Sequence, residues 1–310
     1  MQDTPPSLSP GDIVLNPEIL PTNSTTFFDN WPHAKPLPTP AQIRSSTFDS
    51  TGFEILHHRE HGPYAQRVLR IPDLGLVIKH GPRTTVIEGQ TLWLLGKYCT
   101  QVRAPTVYGW CQDGGETFIY LSYIDGVSLD SRLSTLSDSE LKDIAGQVAP
   151  MIASIRQLRQ PCQDTFIGSP DRGPIRDQIW WSGYDPPPTA PFLSVKAFND
   201  ALFALADRLP MFPDHEFFQT FRSSFSDTSL IRFTHTDLAT TNIIISHSGT
   251  EVLGIIDWQE SGWYPEYWEY LKAKYTAPPE WYHYLDIALQ HPYVHELEAF
   301  ESYDRTGIFF

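Results

Sequence analysis

In the first half of the chain, apolar and polar residues alternate in short runs. Between residues 53 and 79, "AQRVLRI" and "LGLVIKH" carry a two-residue period and are separated by Pro72 and Asp73 with a glycine just after. Such punctuation predicts a small antiparallel sheet. In "RTTVIEGQTLWLLGKYC" the period lengthens, with Val86, Gln90, Trp93, Leu94 and Lys97 at helical spacing and Ile87, Leu92 and Leu95 beside them. One helix is therefore expected to cross the sheet. "APTVYGWCQDGGETFIYLSYIDGVSL" returns to strands, two of them around the Asp113-Gly114-Gly115 turn, the second ending at Tyr123 or Ile124.

Beyond that point the helical period dominates. In "SDSELKDIAGQVAPMIASIRQL", Ser137 and Glu140 form an S-x-x-E capping box, and apolar residues recur at 141, 144, 145, 148, 151, 152, 155 and 158. Pro150 inside it predicts a kink. Further helices are expected over 196–209, 214–225, 265–275 and 280–290. Residues 160–195 read as loop, with Trp180 and Trp181 as either a lid or buried anchors. Residues 1–48 hold nine of the 27 prolines, which blocks regular helix and central strand and leaves a leader that is mobile or extended on the body, with Phe27, Phe28 and Trp31 favouring docking. The expected organisation is a leader (1–48), a sheet lobe (49–124) and a mainly helical lobe (125–310).

Composition narrows the class. Of 310 residues, 41% are hydrophobic and 13% aromatic, enough for sizeable cores. The net charge of −15 disfavours nucleic acid and anionic membrane as partners, since both would repel the chain. Cys99, Cys111 and Cys162 lack CxxC spacing, the histidines form no HExxH motif, and the N-terminus has no basic region followed by an apolar run. No stretch reaches the roughly 18–20 apolar residues of a membrane helix. A soluble, cytoplasmic protein is expected.

Against this background "FTHTDLATTNIIISHSGTEVLGIIDW" places two acids and an amide in the most apolar part of the chain. Strand "IIIS", a turn over 247–250 and return strand "EVLGIID" bring Asn242 beside Asp257 across a hairpin mouth, a pair of hard oxygen donors of the kind magnesium takes. Asp237, one loop away, is then free to orient and deprotonate a hydroxyl. That division of labour suits phosphoryl transfer. The plainer alternative is that Asp237 and Asn242 cap a loop while Asp257 ends a strand at the surface.

These residues carry a resemblance. "HTDLATTNIII" with "GIIDW" is similar to the HxDxxxxN loop and downstream metal-binding Asp of the aminoglycoside phosphotransferase and choline kinase group. The resemblance covers about residues 50–290 and extends to "FIGSPDRGP", "APFLSVKAFNDAL" and "WYPEYWEY", segments like those of fungal members. It implies an α+β, protein-kinase-like two-lobe fold and an ATP- and Mg2+-dependent transfer of the γ-phosphate to a small-molecule alcohol. It further implies Asp237 as catalytic base, Asn242 and Asp257 as metal ligands, and His235 as support of the loop. Lys79, paired with Glu88, would reach the phosphates, and Leu121, Ser122 and Ile124 would form the adenine hinge. No GxGxxG precedes Lys79, and Trp258 stands after Asp257 where protein kinases carry Phe-Gly. Glu260, Glu266 and Glu269, set among aromatics, could line a pocket for a cationic alcohol or serve capping and core packing, with Pro265 starting a helix. Two rival functions remain at this level. One is a non-catalytic, kinase-like protein that binds a nucleotide or metabolite; the other, a metal-dependent hydrolase, would need more ligands.

Overall fold

Alternation in the first half of the chain closes into one six-stranded antiparallel sheet. The computed structural model describes residues 11–45, 52–59, 66–181, 187–205 and 220–304, without the side chains of Arg59, Trp181 and Asp304. Strands β1 (Ile13–Val14) and β2 (Thr25–Phe27) come first, then helix α1 (Pro40–Ser45), β3 (Glu54–Arg59), β4 (Gln66–Ile71) and β5 (Leu76–Gly81). Helix α2 (Val86–Tyr98) leads to β6 (Val107–Asp113) and β7 (Glu116–Ser122). The sheet order is β2-β6-β7-β5-β4-β3. Strand β7 stops at Ser122, one or two residues short of the expected end at Tyr123 or Ile124. Helix α2 lies close on β6, and Gly89 is what allows it: a Cβ there would stand 2.5 Å from the buried Trp110 ring.

The leader is docked, and it touches both lobes. Strand β2 extends the sheet by pairing with β6, while β1 pairs in parallel with β9 (Leu158–Arg159) in the helical lobe. Leu15 and Leu20 are buried in the main core. The Trp110 Nε1–H donates to the Asn23 carbonyl at 3.0 Å and the Gln90 amide to the Pro21 carbonyl at 2.8 Å. Phe28 packs edge-on against Trp110 and Trp31 against Tyr108.

The second lobe opens with β8 (Val127–Ser128) and α3 (Leu129–Arg132) and is built around α4 (Asp138–Ile155). Both bonds of the Ser137–Glu140 capping box form, and every apolar position of the predicted face is buried. The helix runs on through Pro150. After β9 and α5 (Val195–Phe203) come β10 (Ile231–Thr234), β11 (Ile243–Ile245), β12 (Val252–Ile255) and β13 (Gly262–Pro265). Four helices end the described chain: α6 (Trp268–Thr276), α7 (Pro279–Tyr282), α8 (Leu285–Leu289) and α9 (Val294–Asp304). Three expectations change. Pro265 ends β13 instead of starting a helix, because β13 pairs with β10 up to Ile231. The helix expected over 280–290 is two short ones, and α9 was not foreseen. Trp180 is buried against Phe192 and Phe198 and so is an anchor. Most of the helix expected over 214–225 lies outside the described residues. Among these residues no helix is long and apolar enough to cross a membrane.

Gly109 gives the leader its seat. It has φ 155°, and a Cβ would stand 2.5 Å from the Thr26 carbonyl oxygen. Gly109→Ala is expected to cost about 1–3 kcal/mol of stability through overpacking and to loosen β2. A lower melting temperature together with faster proteolytic cleavage in the leader would show this; unchanged values of both would refute it.

Candidate active site

Lys79 sits on β5, between β4 and β7, with its side chain turned into the protein and only 5% exposed. An ammonium this dry needs anions. Glu88, in the first turn of α2, supplies one at 2.9 Å, and Asp257 supplies the other from the second lobe at 2.6 Å. Burial alone would lower the Lys79 pKa, but Asp257 and Glu88 outweigh it and hold the amine charged. Burial also raises the Asp257 carboxyl; Lys79 outweighs that and holds it below the usual carboxylate range. At Glu88 burial prevails over Lys79, and the carboxyl stands above its ordinary value.

The apolar hairpin sets the other groups. Ile243 pairs with Ile255 across β11 and β12, and the Ile256 amide donates to the Asn242 carbonyl at 2.9 Å, so Asn242 and Asp257 share the hairpin mouth. The Asn242 side-chain amide donates to both the backbone carbonyl and Oδ2 of Asp237, each at 2.8 Å. That turns its own oxygen the other way. His235 ties the loop to the hairpin: its Nδ1 accepts from the Asp237 amide at 3.2 Å, so its Nε2 carries the proton and donates to the Ile256 carbonyl at 3.0 Å. Thr236 and Asp257 both adopt left-handed backbone, φ 72° and 63°. Strain of this kind persists only where surrounding bonds enforce it.

Glu269 provides that enforcement beside Thr236. Its buried carboxylate accepts the amides of His235 and Thr236 at 2.6 and 3.2 Å, one on each oxygen. The expectation that it lines a substrate pocket is therefore corrected. Its place at the start of α6 aims it at the loop's backbone. Glu266 is corrected too: it accepts the Leu230 amide at 3.3 Å and lines a different cavity. Of the three glutamates only Glu260 reaches the cleft with Asp237.

That cleft has a volume of about 750 Å³ and lies between the lobes. Lys79, Glu88, Leu121, Ser122, Ile124, Asp237, Asn242, Asp257 and Glu260 all line it, with Val68, Val77, Ile244 and Ile256 as apolar walls. The Ser122 amide is engaged by the Thr106 carbonyl at 2.8 Å and the Tyr123 amide by Gly75 at 2.7 Å, whereas among the described residues the Ile124 amide donates to no protein group. Below Glu260, the pair Lys272–Asp177 (2.8 Å) is fully enclosed, and Asp177 also accepts from Trp268 Nε1. No pattern announces that pair, whose members are 95 residues apart. Burial first, then Asp177, pushes the Glu260 carboxyl up to about 8. Among the described residues no three His, Cys, Asp or Glu side chains cluster to hold a metal. The oxygens of Asn242 and Asp257 are the hard donors present.

Comparison with known proteins agrees in fold. A family model described as "Phosphotransferase enzyme family" matches residues 58–301. The chain resembles APH(2″)-IIa, solved as a ternary complex with streptomycin and ATP, at 15% identity and a TM-score of 0.53, covering 88% of this chain and 90% of that one. It resembles an aminoglycoside-3′-phosphotransferase of type VIII at 14% identity and a TM-score of 0.52, over 86% and 97% of the two chains. For the macrolide 2′-phosphotransferase MphH of Brachybacterium faecium the values are 14% and 0.50, over 86% and 88%. A search of curated proteins gave no match.

Two outcomes are expected. Glu269→Ala leaves two buried amides without their acceptor, at about 1–3 kcal/mol each, and should lower the denaturation midpoint well beyond an exposed Glu→Ala control. Glu260, raised to about 8 in the fold against about 4.3 in the unfolded chain, contributes stability that is complete below about pH 4 and lost as pH rises through 8. Melting temperature should thus fall more steeply between about pH 5 and pH 9 in the wild type than in Glu260→Gln. Parallel curves would remove the argument.

Proposed function

The chain belongs to the phosphotransferase enzyme family, and we propose that it is an ATP- and magnesium-dependent kinase that moves the γ-phosphate to a hydroxyl of a small organic molecule. The observation that carries this reading is the Lys79 ammonium held at 2.6 Å from Asp257 and 2.9 Å from Glu88, in the cleft that also receives Asp237 and Asn242. A sheet lobe (49–124) and a helical lobe (125–310) would enclose the nucleotide.

Each residue then has a task. Val68, Val77, Leu121, Ile244 and Ile256, which line the cleft, would hold the adenine, and backbone groups of Ser122 and Ile124 would read its edge. Lys79, kept charged by its two carboxylates, stabilises negative charge on the phosphates. Asp237 orients the acceptor hydroxyl and takes its proton. The Asn242 bond to Oδ2 leaves Oδ1 for that hydrogen bond. His235 keeps this carboxylate in register with Asp257 through its two ring nitrogens. The Asn242 and Asp257 oxygens fit Mg2+, which when bound supplies charge neutralisation at the phosphates. The acceptor enters past Glu260 and Gln178, both on the cleft wall. An amine on the acceptor would draw the Glu260 proton off and be held by the resulting carboxylate. The setting we propose is cytoplasmic, with a small-molecule alcohol as partner.

A panel of hydroxylated amines, sugars and antibiotics, assayed for ADP release, tests this. Magnesium-dependent release is expected with at least one acceptor, and EDTA should abolish it. Asp237→Asn should reduce the rate about 10²- to 10⁴-fold while ATP still raises the melting temperature. Turnover surviving in Asp237→Asn would overturn the assignment of the base. Absence of both ATP stabilisation and ADP release would overturn the function.

A further inference from the structure

A second cavity, of about 340 Å³, opens in the helical lobe and shares no lining residue with the cleft. Three arginines line it: Arg156 beyond the end of α4, Arg159 of β9 and Arg232 of β10. Three cations gathered on one cavity are unusual in a chain of net charge −15. Their partners do not balance them. Arg159 pairs with Asp12 at 2.7 Å. Arg156 donates to two neutral groups, the Glu266 carbonyl at 3.1 Å and the Tyr293 hydroxyl at 3.3 Å. Among the described residues the half-buried Arg232 guanidinium makes no hydrogen bond or ion pair. The Glu266 carboxylate, which receives the Leu230 amide, is the only acid that lines the cavity among them. Burial, then Arg159, holds the Arg232 pKa below its ordinary value, although the Glu266 and Asp12 carboxylates pull it the other way.

A guanidinium with an open fork is a binder of oxyanions, because its paired N–H groups match two oxygens of a carboxylate or phosphate. Part of the wall is apolar, from Ala149, Ile152 and Leu289, and Gln290, His291 and Tyr293 line it as well. The volume lies at the low end for small-molecule sites. We propose that this cavity binds a small organic anion, its phosphate or carboxylate head taken by Arg232 and Arg156 and its apolar body set against Ala149, Ile152 and Leu289. The site does not depend on the kinase reading, although β10 runs on from Arg232 to the loop of Asp237.

Calorimetric titration of the full chain with phenyl phosphate and with benzoate tests it. Saturable binding with Kd at or below about 1 mM is expected for at least one, and the better ligand identifies the head group. Arg232→Gln should weaken it about tenfold or more, and Arg232→Lys less, with melting curves showing both variants folded. Lys79→Met, in the cleft, should leave it unchanged once its melting curve shows that variant folded. No saturable heat from either anion, equal affinity in Arg232→Gln, or loss of binding in a folded Lys79→Met would each overturn the proposal.

Discussion

The dry ammonium of Lys79 is the constraint to which the rest of the fold answers. A cation at that depth is tolerable only with anions in contact, and its two anions come from different places: Glu88 from the helix crossing the sheet, Asp257 from the hairpin of the other lobe. Removing one partner of such a pair typically costs about 3–5 kcal/mol, since it strands a buried charge. Charge therefore acts together with the apolar core shared by both lobes in fixing how they meet at the cleft. The position of α2 follows from it, and so does the need for Gly89 to let that helix lie against Trp110.

Around Asp237 the fold holds shapes the backbone disfavours. Left-handed conformations at Thr236 and Asp257 cost on the order of 1–3 kcal/mol each. What offsets them is a set of buried bonds with no slack: Glu269 on two consecutive amides and His235 between the loop and Ile256. Neither residue lines the cleft, yet they decide where its carboxylates point.

Much of this was legible in the sequence wherever one period ruled a whole segment. The alternation in β4 and β5, the capping box of α4 and the hairpin that unites Asn242 and Asp257 each have a local cause. The leader was not legible in the same way. Its strands are two and three residues long, too short for a period, and its prolines mask them; only the aromatics hinted at docking. The glutamates after Asp257 divide among cleft, loop support and a separate cavity because neighbours on the chain face different directions across β13 and α6. An acid-and-aromatic cluster carries no record of that. Asp177 and Lys272 meet only through the tertiary fold, and nothing in either neighbourhood points to the other.

The leader also acts as a leash. Val14 is fastened to the helical lobe by β9, and Pro21 to α2 by Gln90, two residues from Glu88. Six residues and seven Cα-to-Cα steps separate those fastenings, so the fully extended reach is about 24 Å, and the turn at Pro17–Ile19 shortens it. A helix moored this way cannot swing far from the body. The tether thereby limits how far α2 can carry Glu88 away from the helical lobe.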